Sequence, residues 1–160
     1  MSEADVFLLL RALLAGALGF TVGWEREAHG HAAGVRTIAL VTLAAAALTA
    51  ISQEVFSTTP DRVIANIIVS VGFLGAGMIL RGRRGEARGL TTAASVWSMT
   101  IVGIVIGVGH YLDGVILTAL VLLLLWWQYI PWLRRIMPHA SEPHPLPHLP
   151  ESEEEGEKSA

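Results

Sequence analysis

The chain has 160 residues, 52% hydrophobic and only 16% charged, with a mean hydropathy of +0.54; that balance excludes an ordinary soluble domain and reads as a membrane protein. Its net charge of -3 hides a contrast, because six of fourteen acids (Glu142, Glu151, Glu153, Glu154, Glu155, Glu157) lie in the last 20 residues and the remainder is net positive. The absence of cysteine excludes disulfides, thiolate metal sites and a cysteine nucleophile.

Windows with at most one charge predict five spans, over residues 6–24 (interrupted by Arg11), 37–53, 62–80, 89–110 and 112–132, each close to the roughly 20 residues that cross a hydrocarbon core. The fold class expected is therefore all-α, a polytopic bundle of five transmembrane helices. The loops are short, so consecutive helices are expected to be antiparallel neighbours. Glu3 and Asp5 precede the first span and no basic residue comes before Arg11, so this span reads as an uncleaved helix rather than a signal peptide. Arg11 lies one to two turns inside it. Snorkelling to the outer surface is the expected behaviour, with Asp61 or Asp113 as a partner; an inward-facing Arg11 would mark function.

Small residues suggest how the helices pack, since helices in lipid associate by close approach at such positions. Gly16, Gly19 and Gly23 share one face of the first helix. The third has Gly72 and Gly75 on one side and Asn66, Ser70 and Gly77 nearly opposite, which predicts a central helix. Thr92, Ser95, Gly103 and Gly107 form a stripe on the fourth. The fifth, with LTALVLLLLWW, has none and should face lipid. Pro131 helps to end it, and Trp126, Trp127, Tyr129 and Trp132 form an interfacial aromatic belt. Residues 1–137 are read as the transmembrane domain and 138–160 as a disordered tail, His- and Pro-rich and then acidic.

Basic residues set the expected orientation. Loops on one side hold Arg26, Arg36, Arg81, Arg83, Arg84, Arg88, Arg134, Arg135 and Lys158, and those on the other only Arg62, which predicts the N-terminus outside and the C-terminus in the cytoplasm. GVRTIALV (34–41) also aligns with GLTTAASV (89–96) 55 residues later, and Gly16 and Gly19 match Gly72 and Gly75. Two tandem hairpins related by an axis along the membrane normal would produce this echo; so would the recurrence of small residues in any helical bundle.

The chemistry-bearing residues exclude more than they assign. No Asp or Glu lies within the core of any span, whereas hard divalent cations favour carboxylate and carbonyl oxygens and proton-coupled carriers use buried acids. The stripe residues Asn66, Ser70, Thr92 and Ser95 read first as interhelical glue and second as a transport path. Charge gathers at the predicted cytoplasmic face, where Glu25, Arg26 and Glu27 end the first helix and Arg36 and Thr37 open the second. Arg36 opposes its helix dipole, so an ion pair between Glu25 and Arg36 is expected. His29 and His31, like the tail histidines His139, His144 and His148, give only weak metal-binding signals. The basic loop 81–88 reads as topology and contact with anionic lipid, not nucleic-acid binding. No catalytic constellation appears, so an enzyme is not expected.

In order along the chain, GALGFTVGWERE (16–27), AGVRTIALV (33–41), VGFLGAGMIL (71–80), RGLTTAASVW (88–97) and GIVIGVGHY (103–111) resemble the MgtC/SapB family of bacterial inner-membrane proteins. The resemblance covers about residues 5–130. It implies a multi-pass membrane domain linked to growth in low magnesium and, in some pathogens, to survival inside macrophages. The best-studied members resemble regulators more than carriers and are reported to restrain the proton-driven ATP synthase and affect membrane potential, although family proteins are often labelled magnesium transporters. Motif positions carried over include Gly19, Gly23, Glu25, Arg26, Gly34, Arg36, Thr37, Gly72, Phe73, Gly75, Ala76, Gly77, Gly89, Leu90, Thr91, Thr92, Ala93 and Trp97. Many members continue into a soluble regulatory domain, where this chain has the short acidic tail. The resemblance implies no cofactor, with magnesium the one candidate ligand. The expected partners are the lipid bilayer, other membrane proteins such as ATP synthase, and further copies of the chain.

Overall fold

A computed structural model describes residues 3–56, 58–81 and 87–127. Among them the chain forms α1 (Glu3–Ala28), α2 (Val35–Val55), α3 (Pro60–Met78), α4 (Leu90–Val108) and α5 (Tyr111–Trp126), with a two-residue antiparallel pair, β1 (Leu80–Arg81) and β2 (Ala87–Arg88), between α3 and α4. The fold is all-α with five helices. Helices α1 to α4 are long and apolar enough to cross a membrane, and α5 runs for 16 residues. Its expected continuation to Trp132, with Tyr129, Pro131 and the 137/138 domain boundary, lies outside the described residues, as do Arg83 and Arg84.

Helix α2 is the narrowest element of the bundle. Thr42, Ala45, Ala46 and Thr49 are all buried, and their small side chains let two backbones press against it. On one side a Cβ at Gly19 would stand 2.9 Å from the Ala39 Cα, and one at Gly23 would stand 2.6 Å from the Val35 Cα. On the other, Gly103 lies against the Thr42 carbonyl and Gly107 against the Ala46 carbonyl. A Cβ at Gly16 would first meet the flexible side chain of Leu43, at 3.2 Å. Close backbone approach replaces the hydrophobic driving force that lipid cannot supply.

The central helix is α4, not α3. Ten residues of α4 are buried, against Ile67 alone on α3. Val96, Met99, Val102 and Ile106 fill the main core with Ala15, Val22, Ile38 and Ala46, while Gly103 and Gly107 leave room for α2 on the neighbouring face. Helix α3 attaches through Ile67, which packs with Ala45 and Ile104. Of its glycines, a Cβ at Gly75 would touch the Ala93 Cβ at 3.8 Å, whereas one at Gly72 or Gly77 would meet nothing within 4 Å among the described residues. Small residues on two faces permit close packing but do not cause it; α4 combines them with branched side chains that occupy volume, and so it becomes the helix the others surround. The outer face of α5 is Leu112, Val115, Ile116, Leu120, Leu123 and Leu124, all exposed.

Candidate functional site

The polar residues concentrate where α1 turns into α2. Gly30 has φ +71°, and its N–H donates to the Glu27 carbonyl at 3.0 Å while the His31 N–H donates to the Arg26 carbonyl at 3.0 Å. This is a Schellman closure, which places glycine at the left-handed position. The last turn before it carries the acid–base pair. Arg26 Nε donates to Glu25 Oε2 at 2.5 Å and Nη2 donates to Oε1 at 2.8 Å, with Arg26 0% and Glu25 6% exposed. The bidentate geometry is the strong form of an ion pair, and the arginine charge also suits the negative end of the α1 dipole.

Two polar atoms of this turn, Arg26 Nη1 and His31 Nε2, are buried without a hydrogen-bond partner among the described residues. His29 Nδ1 lies 2.7 Å from the Glu25 carbonyl and 3.2 Å from its Oε1. In the loop, burial first and then the Arg26 charge hold the His31 imidazole below its ordinary value. A depressed histidine binds fewer protons folded than unfolded. Its contribution to stability is therefore complete above the usual histidine pKa of about 6.5 and is lost as pH falls below it.

The expected ion pair between Glu25 and Arg36 does not form. Glu25 is turned inward against its own neighbour Arg26, because Gly23 brings the start of α2 within backbone contact and encloses that side of α1. Arg36 is exposed. Glu27 approaches α2 instead, its Oε2 accepting the Val35 N–H at 2.9 Å. Gly34, at the N-cap, has no side chain to perform that cap. A carboxylate near the N-terminus is also favoured by the dipole. Glu27 was absent from the candidates drawn from the sequence, although a side-chain-less N-cap preceded by an acid was the available signal. Outside this hairpin lies a cleft of 390 Å³ lined by Phe20, Trp24, Glu27, Ala28, Val35 and Arg36. Phe20 and Trp24 stack with their centroids 6.1 Å apart.

At the opposite end, Arg11 neither snorkels free nor pairs with Asp61 or Asp113. Its Nη1 donates to the Gly107 carbonyl at 2.9 Å and its Nε to the Tyr111 hydroxyl at 3.0 Å, while Asp113 Oδ2 takes His110 Nδ1 at 2.9 Å. Gly109, at φ +106°, ends α4 here with its N–H on the Ile106 carbonyl. Arg11 thus supplies a positive charge to the negative end of the most buried helix. We expect Arg11→Ala to cost about 1.5–3 kcal/mol, the range for hydrogen bonds to a charged group. Thermal unfolding of the detergent-solubilised protein checks it, and a loss under about 0.5 kcal/mol would mark Arg11 as a bystander.

A family model described as the MgtC family matches residues 12–130. The chain belongs to the MgtC family. It is 39% identical over 114 residues to Protein MgtC of Salmonella typhimurium, covering 71% of this chain and 48% of that one. Against the putative magnesium transporter YhiD of Escherichia coli K12 it is 35% identical over 133 residues, 78% of this chain and 60% of YhiD. An uncharacterised protein of Haemophilus influenzae is 36% identical over 127 residues, 73% of this chain and 53% of its own. The chain spans about half the length of the relatives it matches. No solved structure matches it.

In this MgtC-family chain the remaining candidates do not gather at one place. Asn66 and Ser70 open onto a cleft of 350 Å³ between α2 and α3, lined also by Ala44, Leu48 and Val63, where Ser70 Oγ donates to the Asn66 carbonyl at 2.8 Å. Thr92 and Ser95 are buried on α4 and take no part in that lining; Ser95 Oγ donates to the Thr91 carbonyl at 2.8 Å. The structure therefore splits the four residues of the expected path into two sets. Thr37 is half-buried in the first turn of α2, and Trp97 and Phe73 are exposed. Among the described residues no group of three or more His, Asp or Glu is placed to hold a metal ion.

Proposed function

We propose that this MgtC-family protein is a non-enzymatic regulator in the bacterial inner membrane, linked to magnesium homeostasis and acting on partner membrane proteins through the α1–α2 hairpin and its helix faces. The observation that carries this reading is the filling of the bundle's centre. Ile38, Met99, Val102 and Ile106 occupy it with glycine-mediated backbone contacts around them, and every described carboxylate lies near a helix end (Glu3, Asp5, Glu25, Glu27, Glu54, Asp61, Asp113). A filled core suits a surface that engages other proteins better than a conduit for a hydrated divalent cation.

The second reading is magnesium transport, favoured by the name of the relative YhiD and by the polar cleft at Asn66 and Ser70. Magnesium flux into proteoliposomes decides between them. A regulator shows no saturable flux above empty liposomes, whereas flux that disappears in an Asn66→Leu, Ser70→Leu variant makes the protein a transporter. The companion expectation concerns the hairpin. Arg36→Ala should abolish support of growth in low magnesium while membrane insertion stays intact, and removal of residues 139–160 should change little. Wild-type growth with Arg36→Ala would sink the assignment of the hairpin.

A further inference from the structure

The cleft between α1 and α2 carries a pair of opposite charges, Arg36 and Glu27, that the buried Glu25–Arg26 ion pair does not account for. Arg36 and Glu27 both line it, yet they form no ion pair with each other, and neither the Arg36 guanidinium nor Glu27 Oε1 has a hydrogen-bond partner among the described residues. The outer wall is aromatic and open: Trp24 is 64% exposed and stacks on Phe20, itself 47% exposed. Trp24 lies four residues before the end of a helix long and apolar enough to cross the bilayer, the depth at which indoles mark the headgroup layer. At 390 Å³ the cleft is in the size range of small-molecule sites.

We propose that this cleft binds a phosphoethanolamine headgroup, the phosphate on Arg36 and the ammonium on Glu27, with the acyl chains of a phospholipid running along Phe20 and Trp24. Arginine matches phosphate oxygens with a planar fork of donors. A purely anionic headgroup would meet the Glu27 carboxylate on the same wall, and like charges in one site oppose binding. A quaternary choline has no N–H to donate to Glu27, so the carboxylate selects a primary ammonium. The inference goes beyond the proposed regulatory role and does not depend on it.

Native mass spectrometry of the full chain in detergent tests the site, with phosphatidylethanolamine, phosphatidylcholine and phosphatidylglycerol of identical acyl chains. The expected order puts phosphatidylethanolamine first, by about tenfold over each of the others, the size of one well-made charged contact. Arg36→Ala should remove that preference. Glu27→Gln keeps an oxygen for the Val35 N–H but loses the charge, and should bring phosphatidylethanolamine and phosphatidylglycerol to equal affinity. Unchanged melting temperatures show that both variants are folded. Soluble glycerophosphoethanolamine separates the sources: weak competition assigns the site to the lipid, and competition as strong as by the lipid assigns the same chemistry to a free phosphodiester. Equal binding of the three lipids by the wild type overturns the proposal, as does a preference that survives Arg36→Ala.

Discussion

Arg26→Ala should destabilise the protein by about 3–5 kcal/mol, the cost of leaving one partner of a buried ion pair uncompensated. Glu25 is 6% exposed, and both of its carboxylate oxygens are occupied by Arg26. Removing the guanidinium leaves that carboxylate enclosed by the turn that joins α1 to α2, with the His29 imidazole 3.2 Å from its Oε1. The double variant Glu25→Leu, Arg26→Met should recover most of the loss, because apolar side chains of similar volume frequently replace a buried pair at little or no cost. Denaturant or thermal unfolding of the three proteins in one detergent measures both steps. A mild Arg26→Ala would mean that water or lipid headgroups reach the pair; a severe double variant would mean that its hydrogen bonds, rather than its charges, organise the turn. Since the pair closes the hairpin that carries Arg36 and Glu27, the double variant also asks whether the hairpin's shape or its buried charge carries the proposed regulatory role.

The second large effect is steric. Gly103→Val places a side chain against the Thr42 carbonyl and the Ala45 Cβ; backbone cannot move aside as a flexible side chain can, so α4 must separate from α2. The expected loss is about 3 kcal/mol, the upper part of the range for overpacked cores. Gly72→Val is its control. Among the described residues nothing lies within 4 Å of a Cβ at Gly72, and the change should stay within about 0.5 kcal/mol. Melting curves distinguish the two sites, and similar losses at both would show that α3 is enclosed by contacts on its outer face. Gly16 and Gly72 are echoes of one another in the sequence, yet a Cβ at the first would meet Leu43 at 3.2 Å and one at the second would meet nothing within 4 Å among the described residues.

Much of this protein was legible before any coordinates. The uncharged windows located all five helices, because the cost of burying an unpaired charge in hydrocarbon keeps such windows long and clean. The same rule places the acids at helix ends. The ordered glycine and charge motifs resemble one family, and the match over residues 12–130 shows that family. Periodicity also grouped Thr92, Ser95, Gly103 and Gly107 on one face of α4, and all four are buried.

Tertiary structure decided which helix the others surround and which charges meet. Glycine records where close approach is allowed, not whether a neighbour arrives; the volume of Val96, Met99, Val102 and Ile106 made α4 the centre and left Gly72 and Gly77 of α3 open. Glu25 could be assigned to Arg36 by dipole arguments alone, but the approach of α2 at Gly23 enclosed Glu25 with Arg26 and left the capping of α2 to Glu27. Arg11 likewise found the end of α4, 96 residues away in sequence at Gly107. Helix formation depends on hydrogen bonds four residues apart and on local apolarity, which a sequence displays directly. Partner choice among charges depends on which surfaces enclose them, and that is known only once the helices have packed.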